Sequence, residues 1–391
     1  MKYKYLEYLR ASAALAVFVN HIVGKLPYLE KHKGAALQSI GAWGTEAVII
    51  FFLLSGVVIN HTVKKSEQNT ATFLKKRAIR ILPIYYTCLL LAVGIDYVTN
   101  FRTNTAANYL GTFLFVSTLH GLLTLPMATI AVAWSLSFEV FFYVMYSLTI
   151  GKNQTKWLLV WIFLSLISVF LYYISISSNV LAYFVLMLSF SSLWLVGYFI
   201  YEFKHLFQTN FSTSVFAFSM IPLINRLQIS PNYYDIVTYL VTALVCIPIF
   251  IFALNSGNPI SSSQKRIKLS HWHYLPVYII AAYLSLRYSR SLLISRVIYL
   301  SIPFLSLILL NNQVELLVKK MLRSWERVML FVASISYALY LTHMPIIFLF
   351  GRLMPNVVIP NITLIIIVVF SISTFLEHFF QKKINQFFKR S

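Results

Sequence analysis

Residues 236–254 read IVTYLVTALVCIPIFIFAL, a run without one charged side chain. A helix of about 20 such residues crosses the roughly 30 Å hydrocarbon core of a bilayer. The whole chain has the same character: hydrophobic residues make up 59% of the 391, charged residues 11%, and mean hydropathy is +0.75. A soluble domain carries about 25% charged residues to cover its surface. Most of this chain therefore faces lipid or other apolar chain, which excludes an ordinary cytosolic enzyme, a disordered protein and a disulfide scaffold. Cys88 and Cys246 lie inside apolar runs and read as small buried hydrophobes.

Outward from this stretch, comparable runs lie near 6–25, 42–63, 80–99, 132–150, 156–175, 179–201, 291–310, 328–350 and 361–380. Weaker ones lie near 211–225 and 274–289. Tyr109–Leu125 is apolar but short and is followed by Pro126, so it reads as a re-entrant or interfacial helix that does not cross. The expected fold is all-α and polytopic, with ten to twelve transmembrane helices.

The 32 Lys and Arg against 11 Asp and Glu give a net charge of +21. Nucleic-acid binders gather such charge on one face of a soluble fold. Here it sits in short clusters between apolar runs, the pattern of cytoplasmic loops. No nucleic-acid partner is expected; the lipid bilayer is. With both termini in the cytoplasm, 23 of the 32 basic residues fall on the inner side.

The first residues resemble a secretory signal, with lysines before an apolar stretch through Val19. Arg10 and His21 interrupt that pattern and no small-residue cleavage site follows, so a retained first helix is expected. The longest polar gap, 255–272, is too short to fold alone. The expectation is one integral-membrane domain over 1–391 without a fused soluble domain. Internal repeats, low-complexity tracts and Gly-rich phosphate loops are not found.

Ionisable side chains inside spans are costly, so each is a functional candidate. Arg10 and His21 share a face of the first helix about 16 Å apart, since eleven residues turn through roughly three turns. A snorkelling arginine and an interhelical histidine explain the two equally well. Arg77 and Arg80, three apart, lie side by side at the inner surface. Their paired guanidinium forks suit a phosphate-bearing cofactor, while a positive-inside anchor is the plainer reading and is accepted for Lys75 and Lys76.

Glu139 lies about two turns into its span and so does His343, with His21 roughly one turn from an outer end. A buried carboxylate beside an imidazole would orient it and raise its basicity. A polar contact between helices explains Glu139 as readily, and it is the reading given to His343. Ser55-Gly56 has no nucleophile elbow around it and reads as close helix packing. His61, His120, His205, His271 and His273 show no metal-site spacing and are assigned nothing, so no metal is expected.

Five words then occur in order: Tyr8-Leu9-Arg10 leading to His21; Phe51-Phe52-Leu53-Leu54-Ser55-Gly56; Arg77-Ala78-Ile79-Arg80-Ile81-Leu82-Pro83; Trp134-Ser135-Leu136-Ser137-Phe138-Glu139; and Ser336-Tyr337-Ala338-Leu339-Tyr340-Leu341-Thr342-His343. Over essentially its whole length the chain resembles the acyltransferase-3 family of integral-membrane enzymes, which O-acylate bacterial surface carbohydrates and related molecules. The resemblance implies His21 as the catalytic histidine with Arg10 as its companion, Arg77 and Arg80 as the residues that hold acyl-CoA, and Glu139 as the acidic residue of the Trp-Ser-Leu segment. Ala47 and Ile49 depart from the Gly and the acidic or polar residue of many members. Glu377-His378-Phe379 matches the late Glu-x-Pro-Phe word only loosely.

The resemblance implies an O-acetyltransferase in the bacterial cytoplasmic membrane. Acetyl-CoA or another acyl-CoA would be a co-substrate with no permanently bound cofactor, and the acceptor a carbohydrate hydroxyl of O-antigen or exopolysaccharide, lipid-linked or free. On this reading the phosphates dock on Arg77 and Arg80 and the pantetheine arm passes Arg10. His21 acts as base or transient acyl carrier, and Glu139 orients it. A polytopic secondary transporter and a polysaccharide polymerase or flippase are the competing readings; neither would consume a thioester.

Overall fold

A computed structural model describes residues 3–32, 43–64, 69–101, 103–151, 153–174, 179–225, 227, 233–256, 266–288, 293–309, 312–355 and 357–390. Lys2, Lys65, Lys152 and Lys265 of the cytoplasmic charge tally, and half of the polar gap at 255–272, lie outside these residues. In chain order the helices are α1 (Lys4–Lys25), α2 (Pro27–His32), α3 (Gly44–Lys64), α4 (Thr70–Val98) and α5 (Ala106–Phe113). A 3₁₀ segment, Ala128–Ala133, leads into α6 (Trp134–Ser147), followed by α7 (Gln154–Tyr173) and α8 (Asn179–Phe203). Next come α9 (Phe211–Asn225), α10 (Ile236–Val245), α11 (Ile247–Asn255), α12 (His271–Tyr288), α13 (Leu293–Leu309) and α14 (Asn312–Ser324). The last are α15 (Glu326–Leu353), α16 (Val358–Thr374), a π-helical segment at Phe375–Phe380, and α17 (Gln381–Arg390).

Among the described residues the only strands are β1 (Phe207–Thr209) and β2 (Ile267–Leu269), which pair in parallel with Phe207 opposite Ile267. In lipid every backbone polar group must be satisfied within its own segment, so a chain this apolar folds as helices. Within the described residues, all twelve apolar runs are helical over most of their length. Nine helices in the described residues are long and apolar enough to cross a membrane. The stretch quoted first is one of them, Ile236–Asn255, with Pro248 where α10 meets α11. The run at 291–310 forms a helix of 17 residues and the run at 211–225 one of 15, both short of a straight span. Tyr109–Leu125 holds no helix long enough to cross: α5 has eight residues, and the chain then turns through Phe115 (φ 59°) and Gly121 (φ 68°).

The described chain falls into two compact units. The first comprises Met1–Ala13, Trp43–Lys65 and Ser192–Ala333, and the second Ala14–Ala42, Ser66–Ser191 and Ser334–Ser391.

Within the first unit α3 and the second half of α8 cross in near backbone contact. A Cβ placed on Gly56 would sit 2.2 Å from the Trp194 carbonyl oxygen, and one on Gly197 would sit 2.2 Å from that of Leu53. Only glycine fits at such a crossing, as the Ser55-Gly56 reading expects. The Trp194 indole N–H donates to Ser55 Oγ at 3.2 Å across the same crossing. Towards the C-terminal ends of the two helices, Asn60 donates to Tyr198 O (2.9 Å) and to Glu202 (3.1 Å), and Lys64 pairs with Glu202 at 2.7 Å.

Within the second unit polar contacts of short side chains tie helices together. Trp161 Nε1 donates to Ser191 Oγ at 3.0 Å and Ser165 meets the same hydroxyl at 2.7 Å, joining α7 to α8. Thr342 meets Ser373 at 2.9 Å, joining α15 to α16. Gln381 Nε2 donates to Ile79 O at 2.8 Å, fastening α17 to α4. Such bonds fix helix register where lipid offers no hydrophobic drive between helices.

Candidate active site

The second unit holds His21, Arg77, Arg80, Glu139 and His343. His21 is half-buried towards the C-terminal end of α1, and His343 is fully buried in α15. Their rings lie 5.1 Å apart at 44°, with His21 Nδ1 3.1 Å from His343 Nε2. Each Nδ1 also faces the carbonyl one helical turn back: His21 faces Val17 O at 2.9 Å and His343 faces Leu339 O at 2.9 Å.

These partners determine the tautomers. A carbonyl oxygen can only accept, so each Nδ1 carries its ring's proton. His343 Nε2 is then a lone pair that accepts from His21 Nδ1–H, a proton shared with Val17 O. The remaining nitrogen, His21 Nε2, is a lone pair without a hydrogen-bond partner among the described residues. It is His343 and Val17 that orient this imidazole, in the place the sequence gives to Glu139. Phe18 and Tyr340 pack edge-on against the His343 ring, each at 6.0 Å.

Tyr337, Tyr340 and His343 are three apart and form one row on α15, about 9 Å long. Ser135, Glu139 and Tyr143, four apart, form a row on α6. The rows meet where Tyr340 Oη lies 2.8 Å from Ser135 Oγ. Glu139 accepts a hydrogen bond from Tyr143 and lies within electrostatic range of Tyr337 and Tyr340.

At the far end of the α15 row, Arg80 stacks over the Tyr337 ring at 5.3 Å. Tyr337 Oη donates to Ile81 O on α4 at 3.0 Å. The Arg80 guanidinium is gripped in bidentate fashion by Glu377, with Nη1 to Oε2 at 2.6 Å and Nη2 to Oε1 at 3.0 Å. Glu377 Oε1 also accepts from the Ala338 N–H at 3.3 Å. The π-helical turn around Glu377 changes the direction of the side chains on the continuous helix; such turns recur at functional sites.

Arg77 has no such grip: its Nε is buried with no hydrogen-bond partner among the described residues, and its guanidinium lies 5.9 Å from the Phe73 ring. Lys75 and Lys76 are exposed, as membrane anchors are. Arg10 lies in the first unit and pairs with Glu7 at 2.9 Å. The structure thus unites His21 with His343, and it separates the two arginines by partner.

The profile of a family described as an acyltransferase domain matches residues 3–378, nearly the whole chain. The chain belongs to the acyltransferase-3 family. Membership in a family described as an acyltransferase domain supports an acyltransferase over the transporter, polymerase and flippase readings. The acyltransferase MdmB of Streptomyces mycarofaciens is 38% identical over 84 residues, a stretch that covers 22% of this chain and 21% of that protein. No solved structure matches the chain significantly.

Sequence reasoning took His343 for a helix contact and passed over Glu377, Tyr337 and Tyr340 as functional residues. The signal available was the three-residue spacing of Tyr337, Tyr340 and His343, which puts two phenols and an imidazole on one helix face.

Proposed function

We propose that this acyltransferase moves an acyl group, acetyl in the simplest case, from acyl-CoA to a hydroxyl of a surface carbohydrate, with His21 Nε2 as the general base. The observation that carries the reading is the contact of each Nδ1 with a backbone carbonyl at 2.9 Å, from which Nε2 follows as the basic nitrogen of His21. The acceptor hydroxyl gives its proton to Nε2 as its oxygen attacks the thioester carbonyl. The tetrahedral adduct collapses with cleavage of the C–S bond, and the proton passes from Nε2 to the departing sulfur. The products are the ester and free CoA.

While His21 holds that proton, its Nδ1–H points at the His343 lone pair, which stabilises the imidazolium as a carboxylate does in other triads. Arg77 is the guanidinium available to a donor phosphate. Arg80 is a positioning residue that acts through Tyr337, and Glu139 acts through Tyr143 and the α15 tyrosines rather than on His21 directly. Arg10, bound to Glu7, has no step in this scheme. The family match supports acyl transfer; the acyl-CoA donor, the carbohydrate acceptor and the inner membrane of a bacterium are parts of the proposal itself.

Release of free thiol from acetyl-CoA by membranes that contain the protein tests the reading. Thiol release that depends on added glycan and falls about 10²–10⁴-fold in His21→Ala, the usual worth of a general base, is expected. Release that His21→Ala leaves unchanged removes His21 from the chemistry.

A further inference from the structure

The first unit contains a cavity of about 470 Å³ that the transfer chemistry does not use. Its walls come from the start of α1 (Lys4, Tyr5, Tyr8), the end of α11 (Phe252) and α14 (Lys319, Arg323). Three cations and three aromatic rings thus enclose one space. The rings pack edge-on, Tyr5 to Tyr8 at 5.5 Å and Tyr5 to Phe252 at 5.2 Å.

The cations differ in their commitments. Lys4 pairs with Glu326 at 3.3 Å and Lys319 with Glu315 at 2.5 Å. Arg323 is exposed, and no carboxylate lies within ion-pair distance of it among the described residues. Two carboxylates against three cations leave the cavity positive, with a planar five-donor fork as the uncommitted group. That fork matches the oxygens of a phosphate.

The helix that carries Arg323 also places the cavity. α14 presents Leu316 (67% exposed), Leu317 (67%) and Met321 (58%) beside Lys319, Lys320 and Arg323, and Trp325 (57%) follows it. An amphipathic helix with exposed leucines, basic residues and a tryptophan lies in the headgroup layer of a bilayer. Basic pockets at that level take phosphorylated headgroups.

We propose that this cavity is a phosphate-binding site, in which Arg323 and Lys319 hold a phosphate ester and Tyr5, Tyr8 and Phe252 line the space for the body that carries it. The phosphate is that of an anionic phospholipid or of the nucleotide end of the acyl donor. The second source rests on the proposed function; the first does not.

The full chain in nanodiscs of phosphatidylcholine distinguishes the two. CoA binding is titrated by calorimetry, and retention of added phosphatidylglycerol is read by native mass spectrometry, for wild type, Arg323→Gln, Lys319→Gln/Arg323→Gln and Lys320→Gln. Arg323 is exposed, so Arg323→Gln keeps the fold, and Lys320, exposed on the same helix but outside the cavity, controls for general charge. A tenfold or greater loss of CoA affinity in the two cavity variants alone assigns the site to the nucleotide. Loss of phosphatidylglycerol retention with CoA binding intact assigns it to lipid. No change in either probe, or an equal loss in Lys320→Gln, overturns the site. Wild-type protein that fails to bind CoA counts against the proposed donor, while the lipid measurement still decides the cavity.

Discussion

Arg77 and Arg80 look interchangeable in sequence, yet the structure predicts opposite phenotypes for their removal. Glu377 has only 5% of its side chain exposed, whereas Arg80 has 43%. Arg80→Ala therefore strands a buried carboxylate that has lost both guanidinium bonds. Breaking a buried pair in this way costs about 3–5 kcal/mol. At roughly 2 °C per kcal/mol the melting temperature falls by on the order of 5–10 °C. Glu377→Gln costs less, because the amide oxygen still accepts one bond and the abandoned Arg80 reaches solvent.

Arg77→Ala removes a guanidinium that no residue holds, so the melting temperature stays within about a degree of wild type. Its loss appears in donor binding instead. One charge-assisted bond to a phosphate contributes about 1.5–3 kcal/mol, which raises KM for acyl-CoA by about 10- to 100-fold. Thermal unfolding of the detergent-purified variants, followed by tryptophan fluorescence, and steady-state kinetics with acetyl-CoA give both quantities. An Arg80→Ala protein that melts like wild type and shows the same rise in KM as Arg77→Ala would refute the division of labour.

His343→Gln removes the lone pair opposite His21 Nδ1 and leaves Val17 O to hold the ring; kcat should fall about tenfold, the worth of one buried hydrogen bond of roughly 1–1.5 kcal/mol, with KM for acyl-CoA little changed. Stopped assays across substrate concentration separate the two constants, and a change confined to KM would contradict the assignment. Gly197→Ala drives a methyl to within 2.2 Å of the Leu53 carbonyl oxygen. Neither backbone can yield without parting the helices, so destabilisation of about 1–3 kcal/mol or more is expected. Unfolding of that variant by denaturant measures the cost, and wild-type stability would show that the crossing is looser than described.

What the sequence reveals here follows from how far each interaction reaches along the chain. Spans are legible because hydropathy is a local property: within the described residues all twelve apolar runs are helical, and Tyr109–Leu125 holds no helix long enough to cross. Ser55-Gly56 is legible as packing because small residues on an apolar face have few other uses, although its partner Gly197 appears only when two helices cross. The Arg80–Glu377 pair joins residues 297 positions apart, and the His21–His343 pair joins residues 322 apart. No periodicity encodes such pairings. The π-helical turn at Phe375–Phe380 is hidden for a further reason, since a helical hydrophobic pattern gives no sign of one extra residue in a turn. Glu139 is a candidate from its depth alone, but depth does not specify direction, and it is Tyr143 that donates to it.

The central claim is that His21 Nε2 deprotonates the acceptor, and following the acyl group itself tests it most directly. Membranes that contain wild-type or His21→Ala protein are given acetyl-CoA labelled in the acetyl group together with surface glycan from the producing cell. Label should enter the glycan in ester linkage with wild type, and the rate should fall at least 10²-fold with the variant at equal levels of folded protein. Equal label in the two glycans would contradict the account.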